Sequence, residues 1–357
     1  MTTTQSLWSP VDVGAIRLPH RLAMAPMTRG RSTPDGVPTE LNAEYYAQRA
    51  STALIITEGT QPSEDGQGYL LTPGIHSEAQ VAGWRRVTDA VHAAGGRIVI
   101  QLMHAGRVAH PANTPHGRQP VAPSALVANG QIFTAEGMKE MPEPRALSTE
   151  EVRRTVADFT AAAAAAMQAG ADGVEIHAAN GYLLHQFLSS NANQREDHYG
   201  GSIENRIRLA VEVAAAVAAE IGPKRTGLQI SPGNGFNDIG EADTAALYRA
   251  LVTALAPLGL AYLNIAHQGD EELLAALRRL WPGALLLNRA GADIGRRAQD
   301  IDDGIADVIT VGRLVLANPD LVERVRAGAP LNEPDPATFY SGGERGYTDY
   351  PALTPQT

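Results

Sequence analysis

Residues 148–178, STEEVRRTVADFTAAAAAAMQAGADGVEIHA, predict one helix followed by one buried strand. Ser148 and Glu151 form the capping box of a helix start, and the alanine-rich middle favours a helix because alanine is the strongest helix former. Gly170 lies where a left-handed residue closes a helix. The run 173–178, GVEIHA, lacks clean polar alternation, which is typical of a strand covered on both faces.

The same helix-and-strand unit recurs along the chain. The other apolar runs that predict strands are 21–26, 54–59, 97–102, 226–231, 262–266, 284–289 and 307–312. Helical patterns separate them, at 39–51, 78–94, 149–169, 202–220, 241–257, 270–280, 293–303 and 318–327. This alternation predicts a closed parallel (β/α)8 TIM barrel. An open dinucleotide-binding sheet is disfavoured because no GxGxxG follows the first strand.

Two segments fall outside the repeating unit. Residues 11–17, VDVGAIR, predict a small N-terminal hairpin ahead of the barrel. Residues 103–148, after the third strand, are too long for an ordinary strand-to-helix loop and are rich in Pro, Gly and Asn. We therefore expect a single barrel domain over 1–357, with 103–148 as a capping subdomain.

Composition restricts the class of partner. The chain has 357 residues and a net charge of −10, which disfavours nucleic acid and anionic membranes as main partners. The absence of cysteine excludes disulfides, thiolate metal sites and a cysteine nucleophile. No apolar run reaches 18 residues, and residues 1–10 lack the pattern of a signal peptide. We expect a cytoplasmic enzyme without a metal, as a monomer or small homo-oligomer.

Candidate functional groups collect at the carboxyl ends of the predicted strands, where barrels of this kind build their sites. Paired carboxylates, a lysine at a strand end and a nucleophile-elbow serine are missing, which disfavours glycoside hydrolysis, Schiff-base aldol chemistry and serine hydrolysis. The groups found there are Pro26-Met27-Thr28, Glu58-Gly59, Gln101 to His104, His177 with Asn180 and Tyr182, Gln229, Asn288 to Gly291, and Gly312-Arg313.

Two of these groups suggest specific roles. The loops after strands seven and eight are the usual phosphate cradle of the fold; Gly291 and Gly312 let the backbone approach an anion that Arg313 can pair with. His177 and Asn180 place two donors three residues apart, with the phenol of Tyr182 two residues further on. A lone histidine would favour a hydrogen-bonded loop residue, but this combination favours a site that binds one substrate oxygen.

At these residues the chain resembles the old yellow enzyme family of FMN-dependent ene-reductases. The resemblance extends from Leu7-Trp8-Ser9-Pro10 to Gly346-Tyr-Thr-Asp-Tyr350. Its longest motifs are MAPMTRGRS at 24–32, EYYAQRAS at 44–51, HAANGYLLHQFLSSNANQREDHYGGSIENR at 177–206 and ANPDLVERV at 317–325. It implies reduction of the C=C bond of α,β-unsaturated carbonyl compounds, with FMN as cofactor and NADPH or NADH as reductant.

The resemblance implies a role for each matching position. Pro26, Met27 and Thr28 would pack against the isoalloxazine, while Gly59 and Gln101 would bond its pyrimidine part. The full set expected at the cofactor is Pro26, Met27, Thr28, Gly59, Gln101, His177, Gln229, Arg289, Ala290, Gly291, Gly312 and Arg313.

The catalytic set implied by the resemblance is His177, Asn180 and Tyr182. His177 and Asn180 match the pair that binds the substrate's carbonyl oxygen, and Tyr182 matches the donor of a proton to Cα. The substrate pocket is expected to be lined by Thr28, Tyr69, Met103, His177, Asn180, Asn237 and Tyr340.

The chain departs from the family pattern at four places. Many members carry His at position 180, where this chain has the other familiar choice, Asn180; both side chains donate. Met103 stands where Trp is frequent, which predicts a wider and softer pocket. Gln229 stands where the fifth strand usually supplies an Arg facing flavin N1 and O2. The sequence 288–290, Asn-Arg-Ala, replaces a Gly-x-Gly, and Arg289 is a candidate to compensate at the phosphate.

Two other functions stay open at this point. A flavin-dependent isomerase or biosynthetic specialist would use the same cofactor for a redox-neutral reaction, and Gln229 favours it. A flavin-storing protein with little turnover is disfavoured by the intact set of His177, Asn180 and Tyr182.

Overall fold

Parallel strands, each paired with the next along the chain, close into a barrel when the eighth pairs with the first. The computed structural model describes residues 5–353. The barrel strands, numbered one to eight here, are Leu22–Met24, Ile55–Ile56, Ile98–Leu102, Gly173–Ala178, Thr226–Ile230, Tyr262–His267, Ala284–Arg289 and Val308–Val311. The predicted (β/α)8 barrel is confirmed.

Helices lie between the strands and surround the barrel. Their bounds are Glu40–Ala47, Glu78–Ala93, Thr149–Gln168, Leu183–Leu188, Ile203–Arg206, Arg208–Ile221, Thr244–Leu255, Glu271–Leu280, Ile294–Asp302, Arg313–Ala317 and Leu321–Ala327. The helix start predicted at Ser148 is confirmed, because its side chain accepts a hydrogen bond from the Glu151 amide. Gly170 has a φ of 87°, the left-handed closure expected before strand four. None of the helices described between residues 5 and 353 is both long and apolar enough to cross a membrane.

The helix pattern differs from the prediction in three places. The segment predicted as one helix at 202–220 is two, Ile203–Arg206 and Arg208–Ile221. The predicted helix at 318–327 begins only at Leu321, after Pro319, and Arg313–Ala317 forms a separate helix before it. The short helix Leu183–Leu188 was not predicted; it follows the proposed donors directly.

The N-terminal hairpin closes the bottom of the barrel. Val11–Val13 pairs antiparallel with Ile16–Leu18, as predicted. Its buried side chains form one apolar cluster with inward residues of the barrel, among them Ala23, Leu54, Ile56, Val99, Tyr262, Leu286 and Val308. The barrel is therefore sealed at one end, and its functional groups lie at the other.

The insertion at 103–148 contains a hairpin, Gln131–Thr134 with Gly137–Glu140, and a small parallel pair, Val121–Ala122 with Arg145–Ala146. Ile132 of this insertion is buried in a cluster with Met103 and Tyr182. The insertion therefore covers one side of the expected site.

Candidate active site

A layer of polar side chains lies inside the barrel above the apolar bottom. Gln101 Nε2 donates to Glu175 Oε1 at 2.8 Å and to Gln229 Oε1 at 3.1 Å. Asn264 Nδ2 donates to Glu175 Oε2 at 2.9 Å. Bonds between strands three and five, and between strands four and six, join strands that are not neighbours, so they cross the interior. This layer separates the apolar bottom of the barrel from the carboxyl ends of the strands.

His177, two residues beyond Glu175 on strand four, is held as a neutral donor. Its Nδ1 accepts a hydrogen bond from the Ala179 amide at 3.2 Å, which leaves the ring hydrogen on Nε2. Burial lowers the pKa of His177 to about 3, with a smaller contribution from nearby His185. Nε2–H can therefore donate to a substrate oxygen without the ring carrying charge.

Asn180 is fixed with its amide donor unused. The residue lies at a φ of 55°, a left-handed position that asparagine tolerates. Its backbone N–H donates to Ser231 Oγ at 2.9 Å, and its carbonyl accepts from Asn237 Nδ2 at 2.8 Å. Its side-chain Oδ1 accepts from Asn234 Nδ2 at 2.9 Å. Because that bond fixes the orientation of the amide, Asn180 Nδ2 is the polar atom left to donate.

Tyr182 packs against His177 and reaches the hydroxyl of Tyr69. Its ring packs edge-on against His177 with centroids 4.9 Å apart, and its hydroxyl lies 3.1 Å from the Tyr69 hydroxyl. Burial, together with the neighbouring Tyr69, raises the pKa of Tyr182 well above its usual value. The phenol therefore carries its proton at neutral pH. The structure brings His177, Asn180 and Tyr182 into one cluster, with Tyr69 beside them.

A buried His–Glu pair supports the turn that carries these groups. The Gly181 amide donates to His185 Nδ1 at 3.0 Å, and His185 Nε2 lies 2.8 Å from Glu241 Oε1. The Tyr248 hydroxyl donates to the same carboxylate oxygen at 2.7 Å. His185 and Glu241 thus hold the backbone between Asn180 and Tyr182.

The ends of strands seven and eight carry the residues predicted to bind a phosphate. Gly291 has a φ of 80°, and a Cβ there would meet no atom within 4 Å. A Cβ on Gly312 would lie 3.3 Å from Met27 Sδ, so the eighth strand end packs closely on the first. Arg313 makes no ion pair within residues 5–353 and stays available for an anion.

This donor set fits FMN. The amides of Gln101 and Gln229 offer both donors and acceptors to the mixed pyrimidine edge of a flavin. Backbone at Gly291 and Gly312, with Arg313, suits a terminal phosphate.

Arg289 requires a correction. Its guanidinium bonds Asp300 through Nε at 2.6 Å and Glu271 through Nη1 at 2.6 Å, with Nη2 bonding both carboxylates. These partners lie on the surrounding helices, so Arg289 points out of the barrel. Four of its five N–H donors are occupied by these carboxylates, and the expected compensation at the phosphate is not supported.

The remaining pocket residues have different positions. Met103 is buried, and its Sδ would lie 2.5 Å from a Cβ built on Gly59, so the two residues are in contact. Tyr340 is 68% exposed and belongs to the outer edge. Asn237, expected at the substrate, uses its amide on the Asn180 carbonyl.

Sequence reasoning missed Ser231 and Asn234, the other two residues that hold Asn180 in place. Their position just after strand five was the available signal.

Comparisons with known proteins show the family to which the chain belongs. A probable flavin mononucleotide-dependent alkene reductase of Leishmania infantum is 44% identical over 353 residues, covering 96% of each chain. The structure of morphinone reductase in complex with tetrahydroNAD is 46% identical with a TM-score of 0.94, covering 99% of both chains. The old yellow enzyme homologue from Zymomonas mobilis is 41% identical with a TM-score of 0.95, covering 98% of this chain and 100% of that one.

The barrel and its rim define a flavin-dependent oxidoreductase. The model of the NADH:flavin oxidoreductase / NADH oxidase family matches residues 6–332, and the chain belongs to that family. It is an FMN-dependent ene-reductase that takes its electrons from a nicotinamide.

Proposed function

We propose that this chain reduces the C=C bond of α,β-unsaturated carbonyl compounds with His177 and Asn180 binding the carbonyl oxygen and Tyr182 protonating Cα. When bound, FMN supplies the hydride that a nicotinamide has delivered to it. The protein's own residues bind, orient and polarise the substrate and hold the proton.

The free donors of His177 and Asn180 support this proposal most strongly. Each side chain has its acceptor atom engaged by the protein, which leaves Nε2–H of His177 and Nδ2–H of Asn180 free to donate. As hydride arrives at Cβ, negative charge develops on the carbonyl oxygen, and donors fixed beforehand stabilise that charge. Both donors are neutral, so the empty site needs no counter-ion.

Tyr182 supplies the proton that completes the reaction. A phenol that keeps its proton at neutral pH is an acid available for Cα when carbanion character develops there. The Tyr69 hydroxyl, 3.1 Å away, can donate to the Tyr182 oxygen as the proton leaves. Tyr69 therefore supports the acid without needing to touch the substrate.

The test uses phenolic inhibitors, whose oxygen occupies the place of the substrate oxygen. We expect a long-wavelength charge-transfer band on titrating the oxidised holoenzyme with a phenol, and its loss in the double variant His177→Ala/Asn180→Ala. Asn234→Ala should weaken phenol binding by roughly five- to tenfold, because the Asn180 amide loses the bond worth ~1 kcal/mol that fixes it. Asn205→Ala, on the distant helix Ile203–Arg206, is the matched control. Persistence of the band in the double variant would move the oxygen site elsewhere.

A redox-neutral isomerisation on the same cofactor is the second candidate. The observation that favours it is Gln229, a neutral residue bonded to Gln101 where the family pattern has a cation. Anaerobic bleaching of the yellow protein by NADPH or NADH, followed by recolouring with 2-cyclohexenone, separates the two reactions, since an isomerase needs no net electron supply. The cytoplasmic location and the monomeric or small homo-oligomeric state stay predictions of the sequence.

A further inference from the structure

Glu175 is a carboxyl group at the centre of the barrel with no use in the chemistry above. Its side chain is 0% exposed. It accepts hydrogen bonds from Gln101 Nε2 and Asn264 Nδ2, at 2.8 and 2.9 Å. Both donors are neutral amides. A buried carboxylate normally has a cation beside it, because the desolvation of an unpaired charge is costly.

The groups that face Glu175 come from strands three, four, five and six. Strand three contributes Gln101 and strand six contributes Asn264 and Tyr262; Gln229 of strand five follows behind Gln101. On its own strand His177 lies above it, facing the same interior. Tyr262 and His177 are the titratable members, and both are uncharged at neutral pH, since burial raises the pKa of Tyr262 and lowers that of His177. Within the described chain, none of the ion pairs or hydrogen bonds brings an Arg or Lys to Glu175.

The carboxylate sets the orientation of the two amides proposed to bind the cofactor, those of Gln101 and Gln229. Gln101 must turn its Nε2 toward Glu175, and the same nitrogen then donates to Gln229 Oε1. Gln229 therefore has its own Nε2 directed away from Gln101. With Gln101 and Gln229 at the pyrimidine edge of bound FMN, as proposed, loss or gain of a proton on Glu175 would act on the flavin through these two amides.

Two-electron reduction by a hydride adds one negative charge to the flavin. An arginine on strand five would neutralise that charge, but Gln229 cannot. A second negative charge at Glu175, in a low-dielectric interior, would oppose it. The cheapest relief is to protonate the carboxylate, which already lacks a counter-ion.

We propose that Glu175 takes up one proton from solvent when the cofactor is reduced and releases it when the substrate is reduced, in place of the cation missing at position 229. This rests on the FMN-dependent ene-reductase function. The step balances: NADH gives a hydride to FMN, leaving NAD⁺ and the reduced flavin monoanion, while a solvent proton converts the Glu175 carboxylate to the acid. Glu175 is a positioning residue, since it acts through Gln101 and Gln229.

The pH range of the effect follows from the environment of Glu175. Burial raises its pKa to about 7, against the lowering effect of the bonds from Asn264 and Gln101. Reduction of the cofactor should raise it further, because a like charge disfavours the carboxylate. Below pH 7 the acid is present in both redox states and no proton is exchanged. Above pH 7 the carboxylate of the oxidised enzyme gains a proton on reduction.

The first test measures the flavin midpoint potential against pH in the wild-type holoenzyme and in Glu175→Gln. One proton per two electrons gives a slope of about −30 mV per pH unit, and two protons give about −60 mV. In the wild type we expect the midpoint potential to fall by about 30 mV per pH unit below pH 7 and by about 60 mV per pH unit above it. In Glu175→Gln we expect about 30 mV per pH unit over the whole range. Protonation of the flavin itself would instead steepen the slope at low pH in both proteins. That result, or identical slopes in both proteins, overturns the proposal.

The second test counts protons with an indicator dye during anaerobic reduction by NADH at pH 8. We expect an uptake of about one proton per flavin in the wild type and in the control Glu212→Gln, whose carboxylate bonds Tyr199 on the outer helix layer. Glu175→Gln should take up none. Gln229→Arg should also take up no proton, because the added cation would keep the Glu175 carboxylate charged in both redox states. If Glu175→Gln fails to fold, Gln229→Arg tests the proton uptake in its place. Failure of NADH to reduce the flavin would contradict the ene-reductase function, whereas reduction with equal uptake in all variants contradicts only the proton step.

Discussion

Charged side chains are paired on the outer side of the barrel wall, whereas the buried carboxyl group on its inner side has no cation beside it. On the outer side Arg289 lies between Asp300 and Glu271, with each carboxylate bonded to it, and Arg296 also reaches Asp300. On the inner side Glu175 has only amides and a phenol around it. Side chains alternate between the two sides along a strand. On strand seven Leu286 points into the barrel, so Arg289, three positions later, points out. A cation at 289 therefore cannot act inside the barrel, where an arginine at 229 on strand five would. A charge on the outer side of a strand therefore stabilises the fold through an ion pair, whereas a charge on the inner side can affect the reaction.

The largest effect that we expect on the inner side follows from Tyr182→Phe. It should slow the oxidative half-reaction with enones by roughly 10²–10⁴-fold, the usual contribution of a positioned acid. Reduction of the flavin by the nicotinamide should be nearly unchanged. Stopped-flow measurement of the two half-reactions checks this, with Tyr69→Phe as the matched control of smaller effect. Equal slowing of both half-reactions would make Tyr182 a structural residue.

On the outer side, Arg289→Met should lower the free energy of unfolding by about 3 kcal/mol. Asp300 is fully buried and loses its bidentate partner. The expected decrease is at the low end of the range for breaking a buried ion pair, because Arg296 still bonds Asp300. Denaturant unfolding measures it. The flavin midpoint potential should stay unchanged in this variant. A shift of tens of millivolts would show that Arg289 acts on the cofactor after all.

Gln229→Arg is the inner counterpart. A cation about 4 Å from flavin N1 is worth up to ~4 kcal/mol at an effective dielectric of about 20, which sets a ceiling of roughly 90 mV. We expect the midpoint potential to rise by tens of millivolts and reduction by the nicotinamide to become faster. Spectroelectrochemical titration beside Arg289→Met compares the two sides directly. An unchanged potential with a lowered melting temperature would mean that the inner site does not need a cation.

The smallest expected effect concerns acid stability. Hydrogen bonding to Arg289 lowers the pKa of Glu271 to about 2, while the same carboxyl in the unfolded chain has a pKa near 4.3. The pair therefore stabilises the folded chain above pH ~4.3, and this contribution is lost as the pH falls toward 2. Glu271 is 56% exposed, so solvent screening reduces the gain to a few tenths of a kcal/mol. Glu271→Gln should make the melting temperature depend slightly less on pH between about 4.3 and 2. A stronger dependence on pH in the variant than in the wild type would contradict the assignment.

The repeating parts of the molecule were predictable from sequence because they obey local rules. Apolar runs gave all eight strands, and the boundaries of strands four and seven were predicted to the residue. The Ser148 cap and the left-handed Gly170 follow from residue type alone.

What the sequence did not reveal depends on contacts between distant residues. Asn234 bonds a residue 54 positions away, and Gln101 bonds one 128 positions away. No local pattern marks such pairs. The same reason explains the wrong role expected of Arg289, since both of its acidic partners become neighbours only when the helices pack on the barrel. The catalytic set itself came from a family resemblance, and the structure adds how each member is held.

The tight turn after strand four has a consequence for library design. At Gly181 a Cβ would lie 2.5 Å from Asn237 Cβ and 2.6 Å from the Phe236 carbonyl, in a backbone conformation that side chains rarely adopt. Randomising this codon should return almost only glycine among active clones. Tyr340, largely exposed at the outer edge, has no such restriction. A mutant library intended to widen substrate scope should therefore randomise exposed positions at the outer edge, such as Tyr340, and keep Gly181 unchanged.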